Sequence, residues 1–239
     1  MKDESPDSGG TRRRRTSRRV WGIAAAVVTV STVAALNLVG MGSAEARTPT
    51  PTLVGRAFNV TVATATLGNS TPIVGPVVDT GVVSTTTPET VTPPCSVLTG
   101  LVSAQALCNQ VVASTDPAQV SAASSLASVE IGVPGVPAIV LSGVNVSSVT
   151  TCAGSVGTVT IAYLKVGTHV VINSPTLIKP NTQILVAGIK LALNQQVPAD
   201  APATGLRVNA LHISIGNAVS SIYVTVGHAD TLIRKCPVD

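Results

Sequence analysis

Leu206-Arg207-Val208-Asn209-Ala210-Leu211-His212-Ile213 and, a few residues on, Ile222-Tyr223-Val224-Thr225-Val226-Gly227-His228-Ala229 are the stretches that decide the fold. Apolar side chains recur at every second position, the period of a strand half-buried on a core rather than of a helix. In each stretch a histidine closes an apolar stripe. His212 follows Leu206, Val208 and Ala210; His228 follows Ile222, Val224 and Val226. A histidine in that position is expected to be a hydrogen-bonded core or rim residue rather than a ligand or a base. His228 and Asp230 then read as an ordinary same-face pair near a turn.

The same alternation runs outward along the chain. Phe58, Val60 and Val62 face one side while Asn59 and Thr61 face the other. Val102, Ala104, Ala106 and Cys108 alternate with Ser103, Gln105, Leu107 and Asn109; a short helix over residues 97–112 is the rival, since Ala, Leu and Gln form helices well. Asp116-Pro117 ends either element. Val129, Ile131 and Val133 alternate with Ser128 and Glu130, and Pro134-Gly135 makes a turn. Further strands are expected over residues 138–149, 156–166, 169–172, 183–193, 206–215 and 222–229. Residues 184–193 are apolar on both faces, which predicts a strand covered on both sides. The polar stretches 84–94 and 196–204 read as a connector and a surface loop. Together these runs predict an all-β, antiparallel β-sandwich-like single domain over residues 53–239. A parallel β-solenoid is the alternative, weakened by the lack of a fixed repeat period.

Ahead of that domain stands an export signal. Arg12-Arg13-Arg14-Arg15-Thr16-Ser17-Arg18-Arg19 precedes an apolar run from Val20 to Val39, and Ser43-Ala44-Glu45-Ala46 supplies the small residues of a peptidase site at Ala44 and Ala46. This is the order of a secretory signal peptide over residues 1–46: the arginines stay on the cytoplasmic side and the apolar stretch enters the bilayer as the signal helix. About 20 apolar residues also suffice to span a bilayer, so an uncleaved anchor is the competing expectation. Ser17-Arg18-Arg19-Val20-Trp21 half-resembles a twin-arginine signal, from which Gly22 and Ile23 depart. Residues 47–52 form a Thr/Pro spacer.

Removing the signal changes the chemistry of what remains. Residues 1–46 hold seven of the 15 Lys and Arg and four of the 11 Asp and Glu, so the rest keeps eight basic and seven acidic side chains. That balance predicts no electrostatic pull toward nucleic acid, and membrane contact only through the signal segment. Only Phe58, Tyr163 and Tyr223 remain as aromatics, too few for the stacking platform on which sugar-binding and single-strand-binding surfaces usually hold their ligands. Cys95, Cys108, Cys152 and Cys236 all lie beyond the signal, and an even count in an exported chain reads as two disulfides. Three pairings are possible; the favoured one joins Cys95 to Cys108 across a short loop and Cys152 to Cys236. With no C-x-x-C pair and no histidine at zinc-ligand spacing, no metal site and no cofactor is expected.

The two stretches quoted first, with Gly55-Arg56-Ala57-Phe58 and Pro72-Ile73-Val74-Gly75-Pro76, resemble actinobacterial "choice-of-anchor P" proteins. That resemblance implies an exported, often surface-attached β domain without known catalytic residues. The chain departs from the feature that gives the family its name: the ending Thr231-Leu232-Ile233-Arg234-Lys235-Cys236-Pro237-Val238-Asp239 carries no sortase-type motif.

A secreted serine hydrolase is the enzymatic alternative. Serines are plentiful, and His169, His212 or His228 could serve one of them with Asp79 or Asp230 as orienter. G-x-S-x-G is absent, and Gly154-Ser155-Val156-Gly157 lacks the spacing. Carboxylates for glycoside hydrolysis are few: Asp79, Glu89, Asp116, Glu130, Asp200, Asp230 and Asp239. Asn59, Asn69 and Asn145 match N-x-S/T and read as surface polar residues. No glycine loop for phosphate occurs. The sequence thus predicts a non-catalytic envelope or extracellular module that meets an unidentified surface component by contact.

Overall fold

The computed structural model describes residues 50–66, 69–100, 102–132, 137–216 and 220–236; the signal segment with Ala44 and Ala46, and the turn at Pro134-Gly135, lie outside them. The described residues contain strands and no helix. In chain order these are β1 (Thr52–Thr66), β2 (Asn69–Val74), β3 (Val83–Thr85), β4 (Glu89–Val91), β5 (Ser96–Leu98), β6 (Val102–Thr115), β7 (Ala118–Ile131) and β8 (Ile139–Thr151). There follow β9 (Gly154–Ile161), β10 (Tyr163–Val166), β11 (His169–Ile172), β12 (Thr176–Leu177), β13 (Thr182–Val186), β14 (Ile189–Pro198), β15 (Thr204–Gly216) and β16 (Ser220–Arg234).

Every pairing is antiparallel, which sets the solenoid aside. One sheet runs β13-β14-β15-β16-β1-β2, with β3 on the first residues of β1. The other runs β11-β10-β8-β7-β6-β4, with β9 also on β8, β12 on β9 and β5 on β6. The sheets face each other: β1 lies on β6 and β7, β16 on β7 and β8, and β15 on β8 and β9. Between them Leu53, Val60, Leu107, Leu141, Ile161, Leu211, Ile213 and Ile233 are fully buried. Branched aliphatic side chains suit such a core, because they are stiff and pack well on a pleated surface.

The strands are long, and each sheet is crossed by a kink. In the first, Leu193, Leu211, Val226 and Val60 stand in one cross-strand row, and Gln195, Asn209, His228 and Phe58 in the next. Asn194, Ala210, Gly227 and Asn59 fall between the two rows without ladder partners of their own. Asn194 and Gly227 have φ of +47° and +61°. The buried positions consequently change phase: Val224 and Val226 point inward above the kink, Ala229 and Ile233 below it. A Cβ on Gly227 would stand 2.7 Å from Val146 Cγ2, so both its backbone and its neighbours call for glycine. The second sheet repeats the device at Ala106 (φ +49°) and Gly143 (φ +57°), whose absent Cβ leaves room for Ala162.

These kinks correct several expectations. Phe58 leaves the Val60 and Val62 face, and Asn59 turns inward instead of outward. Leu107 is buried, while Cys108 moves to the outer face. His212 and His228 do not continue the apolar stripes before them but emerge on the outer side. Residues 183–193 form a hairpin, not one strand covered on both sides: Ala187 and Gly188, at φ +49° and +79°, make a tight turn and leave Leu185 74% exposed. Residues 156–166 break at Ala162 into β9 and β10. The connector 84–94 contains β4, and β14 runs on to Pro198, shortening the loop expected after Gln196. Where the helix over 97–112 was the rival, β5 and β6 stand.

Two polar clusters tie the sheets together. Asn59 Nδ2 donates to Ser124 Oγ (3.1 Å) and to Ser125 O (2.8 Å), and its Oδ1 accepts from Asn109 Nδ2 at 2.7 Å. Asn59 is therefore an inter-sheet clamp and not a surface residue. Farther along, Ser148 Oγ donates to Leu206 O at 2.9 Å, and both Ser148 and Thr150 lie 2.7 Å from Thr231 Oγ1. Among the described residues, Asn109 Oδ1 alone of these buried atoms has no partner. The paired groups at these depths fix one relative placement of the sheets, because any slip strands a desolvated donor or acceptor.

The cysteines pair as Cys95–Cys108 and Cys152–Cys236, with Cα separations of 4.5 and 5.5 Å. The first pins β5 to β6. The second joins the turn between β8 and β9 to the end of β16, so it links the two sheets rather than the last strand to the middle of its own.

Candidate functional groove

The kink turns a row of side chains outward onto the face of the first sheet. Gln195, Asn209, His228 and Phe58 come from β14, β15, β16 and β1 in direct register. They floor a groove of about 740 Å³. Next to them lie Val197, Arg207, Asp230 and Arg56, again one residue per strand. His212 and Thr225 continue the floor on the other side. Val82 and the segment at Pro198, Ala199 and Asp200 also line it.

The row is joined by hydrogen bonds. Asn209 Nδ2 donates to Gln195 Oε1 at 2.9 Å, which leaves Asn209 Oδ1 as the acceptor for His228 Nδ1, 2.7 Å away. With its proton on Nδ1, the neutral imidazole keeps its lone pair on Nε2. The ring is stacked on Phe58, centroids 4.2 Å apart and planes within 14°. The Arg56 guanidinium carbon stands 5.3 Å from the Phe58 centroid.

Burial is the main cause holding His228 far below the usual imidazole range, to about 3, and the positive charges of Arg207 and Arg56 push the same way against the weaker pull of Asp79. His212 is lowered by burial as well. It lies 3.2 Å from Thr225 Oγ1 through Nδ1 and stacks on Tyr223 at 6.0 Å.

Each groove arginine meets an aspartate. Arg56 holds Asp79 with two bonds, Nε to Oδ1 at 3.0 Å and Nη2 to Oδ2 at 2.6 Å, and Gly81 N donates to the same Oδ1. Burial works to raise the Asp79 carboxyl, but these donors outweigh it and hold it below the usual carboxylate range. Arg207 reaches only Asp230 Oδ2, at 3.4 Å from both Nε and Nη2, an open pair of small energetic worth.

Of the histidines considered for catalysis, the structure gathers His212 and His228 in one groove and leaves His169 exposed on the other sheet, in β11. Asp79 faces Arg56, and Asp230, on the His228 face as expected, faces Arg207; the partner of the His228 ring is an amide oxygen. Asn209, Gln195 and Arg56 are the groove residues that sequence reasoning missed, since their meeting depends on register among strands far apart in the chain. Among the described residues no cluster of three or more His, Cys, Asp or Glu is placed to hold a metal ion. No family model, no curated protein and no solved structure matches the chain.

Proposed function

We propose that the chain is an exported, non-catalytic β module of the cell envelope or extracellular space that acts by surface contact, with the groove as its contact site. One observation carries the reading. The row Gln195–Asn209–His228–Phe58 commits His228 to an amide and a stacked ring, the build of a rigid recognition floor. The Arg-rich, apolar and Ala44-x-Ala46 order supports export, as do the two cysteine pairs and the resemblance to surface-attached β domains.

Export has its own test. N-terminal sequencing of protein from the extracellular fraction is expected to begin at Arg47. Full-length chain fixed in the membrane would instead establish the uncleaved anchor, and with it a tethered module.

A secreted hydrolase is the second reading, and one contact favours it: the Thr225 hydroxyl lies against His212 Nδ1 at 3.2 Å, an alcohol beside a base. A fluorophosphonate probe separates the two. The expected result is no labelled serine or threonine in the exported protein. Labelling of Thr225, or of any serine, that disappears in a folded His212→Ala or His228→Ala variant would make the protein an enzyme.

A further inference from the structure

The geometry points to a neutral, hydroxyl-rich ligand for the groove: a saccharide, free or as the headgroup of a glycolipid. The inference rests on the groove being a contact site and names what it contacts. Its first support is charge. Arg56 is held by Asp79 and Arg207 by Asp230, Asp200 in the lining is exposed to solvent, and the two histidines are uncharged at neutral pH. An incoming carboxylate or phosphate would have to displace Asp79 from its two bonds to Arg56, or share Arg207 with Asp230. A cation would have to draw Asp79 or Asp230 away from its arginine. A ligand without net charge disturbs neither pair, and desolvating it costs far less.

The second support is the mixture of donors and acceptors. Asp230 meets Arg207 only through Oδ2, so Oδ1 keeps its lone pairs. The Nδ1 bond to Asn209 puts an acceptor on His228 Nε2. Asn209 spends one N–H on Gln195 Oε1 and keeps the other, and the amide nitrogen of Gln195 adds donors. A hydroxyl donates and accepts at once, so a row of hydroxyls suits this alternation better than a purely accepting or purely donating group. Around the polar floor, Val54, Val82, Val197 and Leu232 give aliphatic walls for the C–H faces of a sugar ring. Phe58, buried beneath His228, is no open platform, so affinity has to come from hydrogen bonds and walls. A volume of about 740 Å³ accommodates a disaccharide-sized ligand.

Titration calorimetry on the exported chain tests this with maltose and cellobiose, and with glucuronic acid and glucosamine as charged counterparts. Binding of a neutral disaccharide in the millimolar range or tighter is expected, with the charged sugars at least about tenfold weaker. Val197→Arg, at a wall position that is 43% exposed, leaves the core alone and is expected to weaken binding at least about tenfold. Phosphatidylcholine vesicles with and without a diglucosyl lipid distinguish the sources. Capture only by the glycolipid vesicles assigns the headgroup; binding of the free disaccharide assigns the soluble sugar. Failure of every neutral sugar and of the glycolipid overturns the inference, as does glucuronic acid binding equally well, or Val197→Arg binding unchanged. Retention of the chain on cell envelopes is measured alongside. Retention without saccharide binding sinks the ligand class and leaves the contact reading standing; loss of both sinks the two together.

Discussion

Replacing Cys152 and Cys236 together by serine is expected to lower the unfolding free energy by roughly 4–5 kcal/mol, the largest effect of any change considered. The pair closes a loop of 84 positions, against 13 for Cys95–Cys108, whose loss is expected to cost about 3 kcal/mol. The cross-link restricts the unfolded chain more as the loop lengthens, and in the fold it fastens one sheet to the other. For a domain of this size the double variant should melt roughly 10–15 °C lower. Denaturant unfolding of both double variants checks the order. A Cys95/Cys108 variant that loses as much stability as the Cys152/Cys236 variant would refute it, and peptide mapping without reduction that finds Cys95 joined to Cys152 would refute the pairing itself.

Acid is expected to have the second-largest effect. The folded His228 takes up a proton only near pH 3, whereas an unfolded histidine does so near 6.5. Between those values the unfolded chain binds the extra proton, so stability is fully present above pH 6.5 and falls as pH drops toward 3. The slope is about 1.4 kcal/mol per pH unit, or roughly 3 kcal/mol between pH 7 and pH 4. His212 is shifted in the same direction and adds to the loss. Asp79, held low by Arg56 and Gly81, adds its own loss only in stronger acid, as pH falls through its folded value. Urea unfolding at a series of pH values measures the slope, and His228→Phe should flatten it. Should that variant not fold, the His228 ring proton in NMR decides: a midpoint near 6 instead of below 4 would contradict a buried neutral ring.

How much of this was legible in the sequence depends on which feature is asked for. The strands were, because Val, Ile and Leu at every second position leave few other ways to bury them. Their facing was not. Ala104, Ala106 and Cys108 read as one stripe, yet the left-handed backbone at Ala106 sends Leu107 to the core and Cys108 outward. The same phase change at Ala210 and Gly227 carries His212 and His228 from the expected core stripe to the floor of the groove. A period-2 reading assumes unbroken pleat, and small residues in mid-strand (Ala106, Gly143, Ala162, Ala210, Gly227) are the signal that it breaks. The hairpin at Ala187-Gly188 was hidden because apolar residues flank it on both sides and no Asn-Gly or Asp-Gly marks it. The groove was hidden for a different reason: Phe58 and His228 are cross-strand neighbours 170 positions apart, and local pattern holds no information about that pairing.

The placement of Cys236 also determines how the domain carries load. β1 and β16 are antiparallel neighbours with Thr52 opposite Arg234, so traction on Thr52 and on Arg234 would peel their ladder open one pair at a time. A pull transmitted at Cys236 instead enters through the sulfur bridge at Cys152, in the turn between β8 and β9 of the other sheet. The force then runs from sheet to sheet and must shear the packed interior and its Asn59 and Thr231 clamps at once. The bridge thereby converts a zipper into a lap joint, and reducing it should turn a mechanically stiff module into a soft one even where the groove is unchanged.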